Sequence, residues 1–250
     1  MNGSTAKKLT VTYDVPDADD TWELTDENVP ESVWHDAIIE LLKLILRAWA
    51  ERANVSALIT SNLALRWQRD RWKVGVDPDV ALYIPPPPEG EDTLSVCTWE
   101  PGHEPPRVAI EVVSKSTASK DYLTGPEQYA ASGTQELWVF DPKHLGPKKR
   151  GGPAVLQVWH RDPTGSFRQI YRGNGPFESP EMEAWLVVTK DGMRLRLADD
   201  REGTRLWLTA EEQERTRAEQ ERMRAEQHAI AQEAEIKALR AELERLRSGG

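Results

Sequence analysis

Two short apolar runs, each interrupted by one carboxylate, constrain this chain more than any other feature. The first reads Val76-Asp77-Pro78-Asp79-Val80-Ala81-Leu82-Tyr83, and the second Arg107-Val108-Ala109-Ile110-Glu111-Val112-Val113-Ser114. Runs of this length, rich in Val and Ile, are expected as buried strands. A lone ionised carboxylate inside a sheet costs several kcal/mol unless a cation or strong donors answer it. Two of them on neighbouring strands point to a shared divalent ion. Mg²⁺ or Mn²⁺ takes oxygen ligands from a few carboxylates and keeps several waters. Asp79 and Glu111 are therefore the candidate metal ligands. The competing reading is a strand-end Asp in a Pro-Asp turn and a Glu paired with a nearby Arg.

The residues after Glu111 extend the pattern. Ser114 to Asp121 is a polar turn with several candidate helix caps. A helix is expected around Glu127 to Ser132, stopped by Gly133, and then a strand over Glu136 to Phe140, closed by Asp141-Pro142. Strand, helix and strand with short connections form a right-handed crossover.

Pro78-Asp79-Val80, Glu111-Val112-Val113-Ser114-Lys115-Ser116-Thr117, Asp121, Tyr129 and Gly133 to Pro142 resemble, in order and spacing, the Uma-type restriction endonucleases of the PD-(D/E)XK nuclease superfamily. Trp22 to Asp26 and Ser32 to Ile39 resemble that family's opening strand and first helix. The resemblance runs from about Trp22 to Leu197 and implies a restriction-endonuclease-like core, a mixed β-sheet flanked by helices in the α/β (α+β) class. It also implies Asp79 and Glu111 as ligands of Mg²⁺ or Mn²⁺, and DNA as the partner. The superfamily's lysine would fall two residues after the Glu, where Val113 stands, or four residues after Asp121, where Gly125 stands. By strand alternation residues 111, 113 and 115 share a face, so Lys115 is the expected substitute. Lys120 is the second candidate and requires the turn to fold back. The function implied is a metal-dependent DNA endonuclease. The alternative is a catalytically impaired nuclease fold that acts as a binding or assembly module through its C-terminal helix.

At 250 residues the chain can bury a sizeable core and carry an appendage. Residues 1–21, with Asp14, Asp17, Asp19 and Asp20, read as a disordered acidic lead-in; 22–208 as the nuclease-like domain; 209–250 as a charged helix or coiled coil. No apolar run reaches the ~20 residues of a membrane span, and no secretory h-region is recognisable. The single cysteine, Cys97, fits a reducing cytosol, so a cytoplasmic location is expected. The net charge of -10 weighs mildly against broad nucleic-acid affinity. Local basic groups remain: Arg66, Arg69, Arg71 and Lys73 interleaved with Trp67 and Trp72, and Lys148-Lys149-Arg150 at a loop tip.

Val33, Ala37, Ile38, Leu41, Leu42, Ile45 and Trp49 share one helical face behind the cap Ser32. Glu40 is read as exposed, His35 as a surface or cap residue and His160 as solvent-facing. A hairpin is expected over residues 54–67, a long loop over 85–106, a hairpin around Asp162 to Gly165 and a last strand pair around Asp191-Gly192. Thr209 and Glu212 form a capping box. Ile236, Leu239, Leu243 and Leu246 alternate three- and four-residue steps, as a coiled-coil seam does, whereas Ala218, Arg222, Ala225, Ala229 and Gln232 continue that register poorly. Self-association through this helix is expected.

Overall fold

The computed structural model describes residues 32–149 and 151–248, except for the side chain of residue 242. The acidic lead-in, the expected opening strand and Arg150 fall outside the described residues. Helix α1 spans Val33–Ala53. Ser32 caps its start by accepting from the His35 amide, and Asn54 ends it in the left-handed conformation. Its buried stripe comprises His35, Ile38, Ile39, Leu42, Ile45 and Leu46, while Val33 is left exposed. Removing Ile38, Leu42 and Ile45 completely from water contributes roughly 1.5–3 kcal/mol each.

Strands follow in the order β1 (Leu58–Thr60), β2 (Ala64–Arg66), β3 (Gly75–Val76), β4 (Val80–Tyr83), β5 (Ser95–Cys97) and β6 (Val108–Val112). A single π-helical turn, Lys120–Thr124, leads into α2 (Gly125–Ser132), which Gly133 terminates with φ 90°. Then come β7 (Glu136–Phe140), β8 (Leu156–Arg161), β9 (Phe167–Gly173), β10 (Phe177–Ser179), β11 (Ala184–Val188) and β12 (Leu195–Ala198). Helix α3, Ala210–Ser248, ends the described chain.

The main sheet has the order β1-β4-β6-β7-β8-β9. Only β6 and β7 pair in parallel, across the crossover that α2 provides; the other pairs are antiparallel. This is the mixed sheet flanked by helices that the sequence implies. Alternation along β4 and β6 divides the interior in two. Val80, Leu82, Val108, Ile110 and Val112 pack under α1 with Leu186, Leu195 and Leu197. Ala81, Tyr83, Ala109 and Val113 pack on the other side with Tyr129 of α2 and with Leu65, Val76 and Val96 of a small sheet, β3-β2-β5.

Two expectations change here. Residues 54–67 are not a hairpin: β1 joins β4, while β2 leaves after the Ser61-Asn62 turn and pairs with β3 and β5. The chain turns at Asn62, at φ 54°, and the Asn62 amide donates to the Pro78 carbonyl, which steers β2 away from β1. The segment 85–106 is likewise more than a loop. It supplies β5, and His103 fixes it by accepting from the Cys97 amide and meeting Glu89 at 3.0 Å. The β8–β9 and β11–β12 hairpins form as expected. Among the described residues no helix is long and apolar enough to cross a membrane.

Candidate active site

Antiparallel register sets the site. Val80 lies opposite Ile110 and Ala81 opposite Ala109, so the next pair outward is Asp79 opposite Glu111. Both carboxylates have the parity of Ala81, Tyr83, Ala109 and Val113, and so belong to the α2 face of the sheet. Each is held on one oxygen. Asp79 Oδ2 accepts from the Val112 amide at 2.7 Å, and Glu111 Oε1 accepts from the hydroxyl of fully buried Tyr129 at 2.7 Å. Glu111 is sealed, whereas the Asp79 side chain keeps 14% of its surface open. The site therefore faces solvent through Asp79.

A third carboxylate, Asp121, is nearly fully buried and accepts from the Thr117 hydroxyl at 2.6 Å. Burial pushes Glu111 well above the usual carboxylate range; Asp79 and Asp121 push it further, against the opposing pull of Lys120 and the Tyr129 hydroxyl. Asp121 rises to about 7, chiefly through burial, with the Asp79 charge added and the Thr117 hydrogen bond opposing. The neighbouring carboxylates repel one another's charge, which favours the protonated form of Glu111 and Asp121. Among the described residues no three His, Cys, Asp or Glu side chains are placed to hold a metal ion together. A hard cation of the Mg²⁺ type does not require three, because it is commonly held through one or two carboxylates and keeps its waters.

Lys120 is the cation in this cluster. Its Nζ lies 3.9 Å from Glu111 Oε1 and 3.5 Å from Asp77 Oδ1. Partial burial pulls the ammonium down, but Glu111, Asp77 and Asp121 outweigh it and hold the group above its ordinary range. The π-helical turn makes the approach possible. Its closing bond runs from the Gly125 amide to the Lys120 carbonyl, and a Cβ on Gly125 would stand 3.2 Å from that carbonyl oxygen. A side-chain-bearing residue at 125 would press on the backbone that aims Lys120.

The strand-alternation argument for Lys115 does not hold. β6 ends at Val112, and Ser114 to Thr117 form a turn closed by the Ser114 amide on Thr117 Oγ1 and the Ala118 amide on the Ser114 carbonyl. Lys115 is exposed on that turn, out of the pleat it was expected to share with Glu111. Val113 keeps its parity and fills the apolar cluster around Tyr129.

His35 is also not where a surface residue would be. It is buried, with Nε2 2.6 Å from the Val112 carbonyl and 3.4 Å from Asp79 Oδ2, so α1 braces the end of β6 and the Asp79 carboxylate together. A signal for this existed. Residues 35, 38, 39, 42, 45 and 46 follow the i, i+3, i+4 rhythm of the buried stripe, with His35 its first polar member. Tyr129 and Asp121 carried no such signal beyond the resemblance. His160 is half-buried, with Nε2 3.1 Å from Glu181 Oε1, so it has an acidic partner that sequence spacing did not reveal. Glu40 is exposed and paired with Lys43, as expected.

Two further buried carboxylates have structural duties. Asp141 accepts from Tyr122 Oη, Leu145 N and Gly146 N, pinning the loop that begins the 142–149 segment. Glu136, at the far end of β7, accepts from Trp138 Nε1, Ser179 Oγ and the Glu181 amide. The basic-aromatic cluster runs from the end of β2 along the connection to β3, and β3 leads directly into Asp77-Pro78-Asp79. There Arg66 donates to the Trp72 carbonyl at 2.5 Å, Arg66 and Lys73 flank the Trp72 ring, and Trp72 is exposed.

No curated protein matches the chain. Among solved structures, a chain described as a "putative nuclease belonging to DUF820 from Anabaena variabilis ATCC 29413" is similar at 16% identity and a TM-score of 0.44, over 65% of this chain and 82% of that one. Residues 13–146, more than half of the sequence, match the Uma2 family model, described as "Putative restriction endonuclease", and the chain belongs to that family.

Proposed function

We propose that this protein is a metal-dependent DNA endonuclease that hydrolyses phosphodiester bonds. One observation carries the reading: Asp79 and Glu111 lie opposite one another on adjacent strands and on one face, with the Lys120 ammonium beside Glu111. Asp79 and Glu111 are the residues that would hold Mg²⁺ or Mn²⁺. When bound, such an ion would supply charge neutralisation at the phosphate and lower the pKa of water so that, once a proton is lost, hydroxide is available to attack. Tyr129 and the Val112 amide fix one oxygen of each carboxylate and leave the other for the ion. Lys120 stays protonated and is 38% open, so it can meet a phosphate oxygen as negative charge develops there. The half-buried Arg66 and the exposed Trp72 and Lys73 suit a phosphate backbone and an unstacked base.

Residues 22–208 then form the catalytic unit and 209–250 an assembly helix, whose exposed aliphatic seam supports self-association. The rival reading, an inactive module, rests on the lysines absent at Val113 and Gly125 and on the net charge of -10; an ammonium 3.9 Å from Glu111 weakens the first ground and leaves the second. The decisive measurement is nicking of supercoiled plasmid with Mg²⁺ or Mn²⁺. Wild type is expected to cut, and Asp79→Asn and Glu111→Gln to lose cutting while keeping the thermal transition. A wild type that binds Mn²⁺ and leaves the plasmid intact favours the inactive module.

A further inference from the structure

Helix α3 leaves the core almost at once. Its root is well anchored: Thr209 and Glu212 exchange capping bonds, Arg196 forks onto both Glu212 oxygens at 2.8 and 2.9 Å, and Trp207 stacks on Trp49 at 5.6 Å. From Glu214 to the last described residue every side chain with an assigned environment is exposed. A solvated helix of this length holds itself by composition, being rich in Ala, Glu, Arg and Gln, and by pairs such as Glu233 with Lys237 one turn on. That accounts for the stem and not for the tip. Ile236, Leu239, Leu243 and Leu246 make an aliphatic stripe, 49% to 72% exposed, that nothing among the described residues covers.

We infer that the covering partner is a second copy of this chain, and that the two tips zip in parallel and in register over Ile236 to Leu246, so that both cores sit at the same end. This rests on the self-association reading and adds its geometry. Ile236 and Leu243 take heptad position a and Leu239 and Leu246 take position d, so the stripe is a continuous a/d seam. Charge decides the direction. Glu235 flanks the seam at position g, Arg240 and Arg247 at position e, and all are exposed. In a parallel pair a g residue meets the e residue five positions on in the other helix, so Glu235 meets the partner's Arg240, twice by symmetry. In an antiparallel pair e faces e, and the flank made by Arg240 and Arg247 is set against itself.

The zipper cannot run upstream. Gln232, Ala229 and Arg222 hold the next seam positions, and two Arg222 side chains would meet in the interface. The stems from Glu214 to Ile236, ~33 Å at 1.5 Å per residue, therefore stay single and divergent. Two nuclease cores on one side of a short zipper can address the two strands of one duplex; an antiparallel pair would place them at opposite ends.

The test uses the full chain with Cys97→Ser as background. Sedimentation of wild type should show a concentration-dependent dimer, and Leu243→Glu a monomer of unchanged core stability. Under mild oxidation Leu246→Cys should cross-link to itself, Glu244→Cys on the outer face should not, and a mixture of Ile236→Cys and Leu246→Cys chains should give little mixed dimer. Abundant mixed dimer overturns the parallel arrangement and leaves self-association standing. A wild type that sediments as a monomer throughout overturns both. Leu243→Glu that remains dimeric moves the interface to the core and overturns the zipper.

Discussion

Lys120 Nζ and Glu111 Oε1 lie 3.9 Å apart although nine positions, a strand end and a turn separate the two residues. The ammonium comes back over the carboxylate because the chain after β6 folds into a tight polar turn and enters α2 through a π-helical turn.

Lys120→Ala is therefore expected to lower kcat for plasmid cleavage by roughly 10²–10³, the range for loss of one charged transition-state contact. Mn²⁺ affinity, measured by calorimetry, should hold or tighten, since the ion loses a competing cation. Lys115→Ala is the control and should cleave like wild type. A Lys120→Ala enzyme of normal kcat, or a large loss in Lys115→Ala, removes Lys120 from the mechanism.

The buried carboxylates make the metal-free protein unusually sensitive to pH. Asp121 has a folded-state pKa of about 7 against an ordinary value of 3.8. Between those values the folded state binds the extra proton, so unfolding releases it, and stability falls as pH rises through that window. Metal-free wild type should melt at a lower temperature at pH 8 than at pH 5.5, relative to Asp121→Asn. At pH 8 the variant should be the more stable by about 1–3 kcal/mol, an order-of-magnitude expectation for relief of one buried charge. Mn²⁺ should raise the wild-type melting temperature more at pH 8 than at pH 5.5. Parallel pH profiles for the two proteins would show that Asp121 is not the group responsible.

Trp72 and Lys73 stand exposed on the connection between β2 and β3, and under the proposed function they are the expected nucleic-acid contacts. Trp72→Ala should weaken binding of a single-stranded oligonucleotide by about 1–3 kcal/mol, the typical value of one base–aromatic stack. Lys73→Ala should lower the salt dependence of binding by about one charge. Cleavage at saturating DNA should be preserved in both. Unchanged affinity in the double variant would move the DNA track to another face, the Lys148-Lys149 loop being the next to test.

Sequence showed the strands and their carboxylates because both obey local rules. Alternation along β4 and β6 fixes the parity of Asp79 and Glu111, and a one-residue slip would have buried the wrong face. The α2 stop at Gly133 and the Thr209–Glu212 box are likewise local chemistry. What stayed hidden depends on distant pairing. Nothing in Ala64-Leu65-Arg66 says that it will pair with Ser95-Val96-Cys97 rather than with the strand just before it. The polar turn read over Ser114 to Asp121 already holds Lys115, and the strand-alternation reading carries past it; hydroxyl groups closing that turn on themselves leave β6 ending at Val112. His35 was misread for a different reason: a histidine at a helix start has an ordinary surface role, and only the docking of α1 against the end of β6 gives it another.

The π-helical turn at Lys120–Thr124 is, in chain terms, one residue more than an α-helix would use. Each residue of an α-helix advances the chain by about 100° around its axis. Deleting one residue from this turn, so that it tightens into ordinary helix, would swing Lys120 through about that angle and carry its charge off Glu111 with every side chain still present in the sequence. The cation's address in this protein is thus a rotational phase as much as a place in the chain.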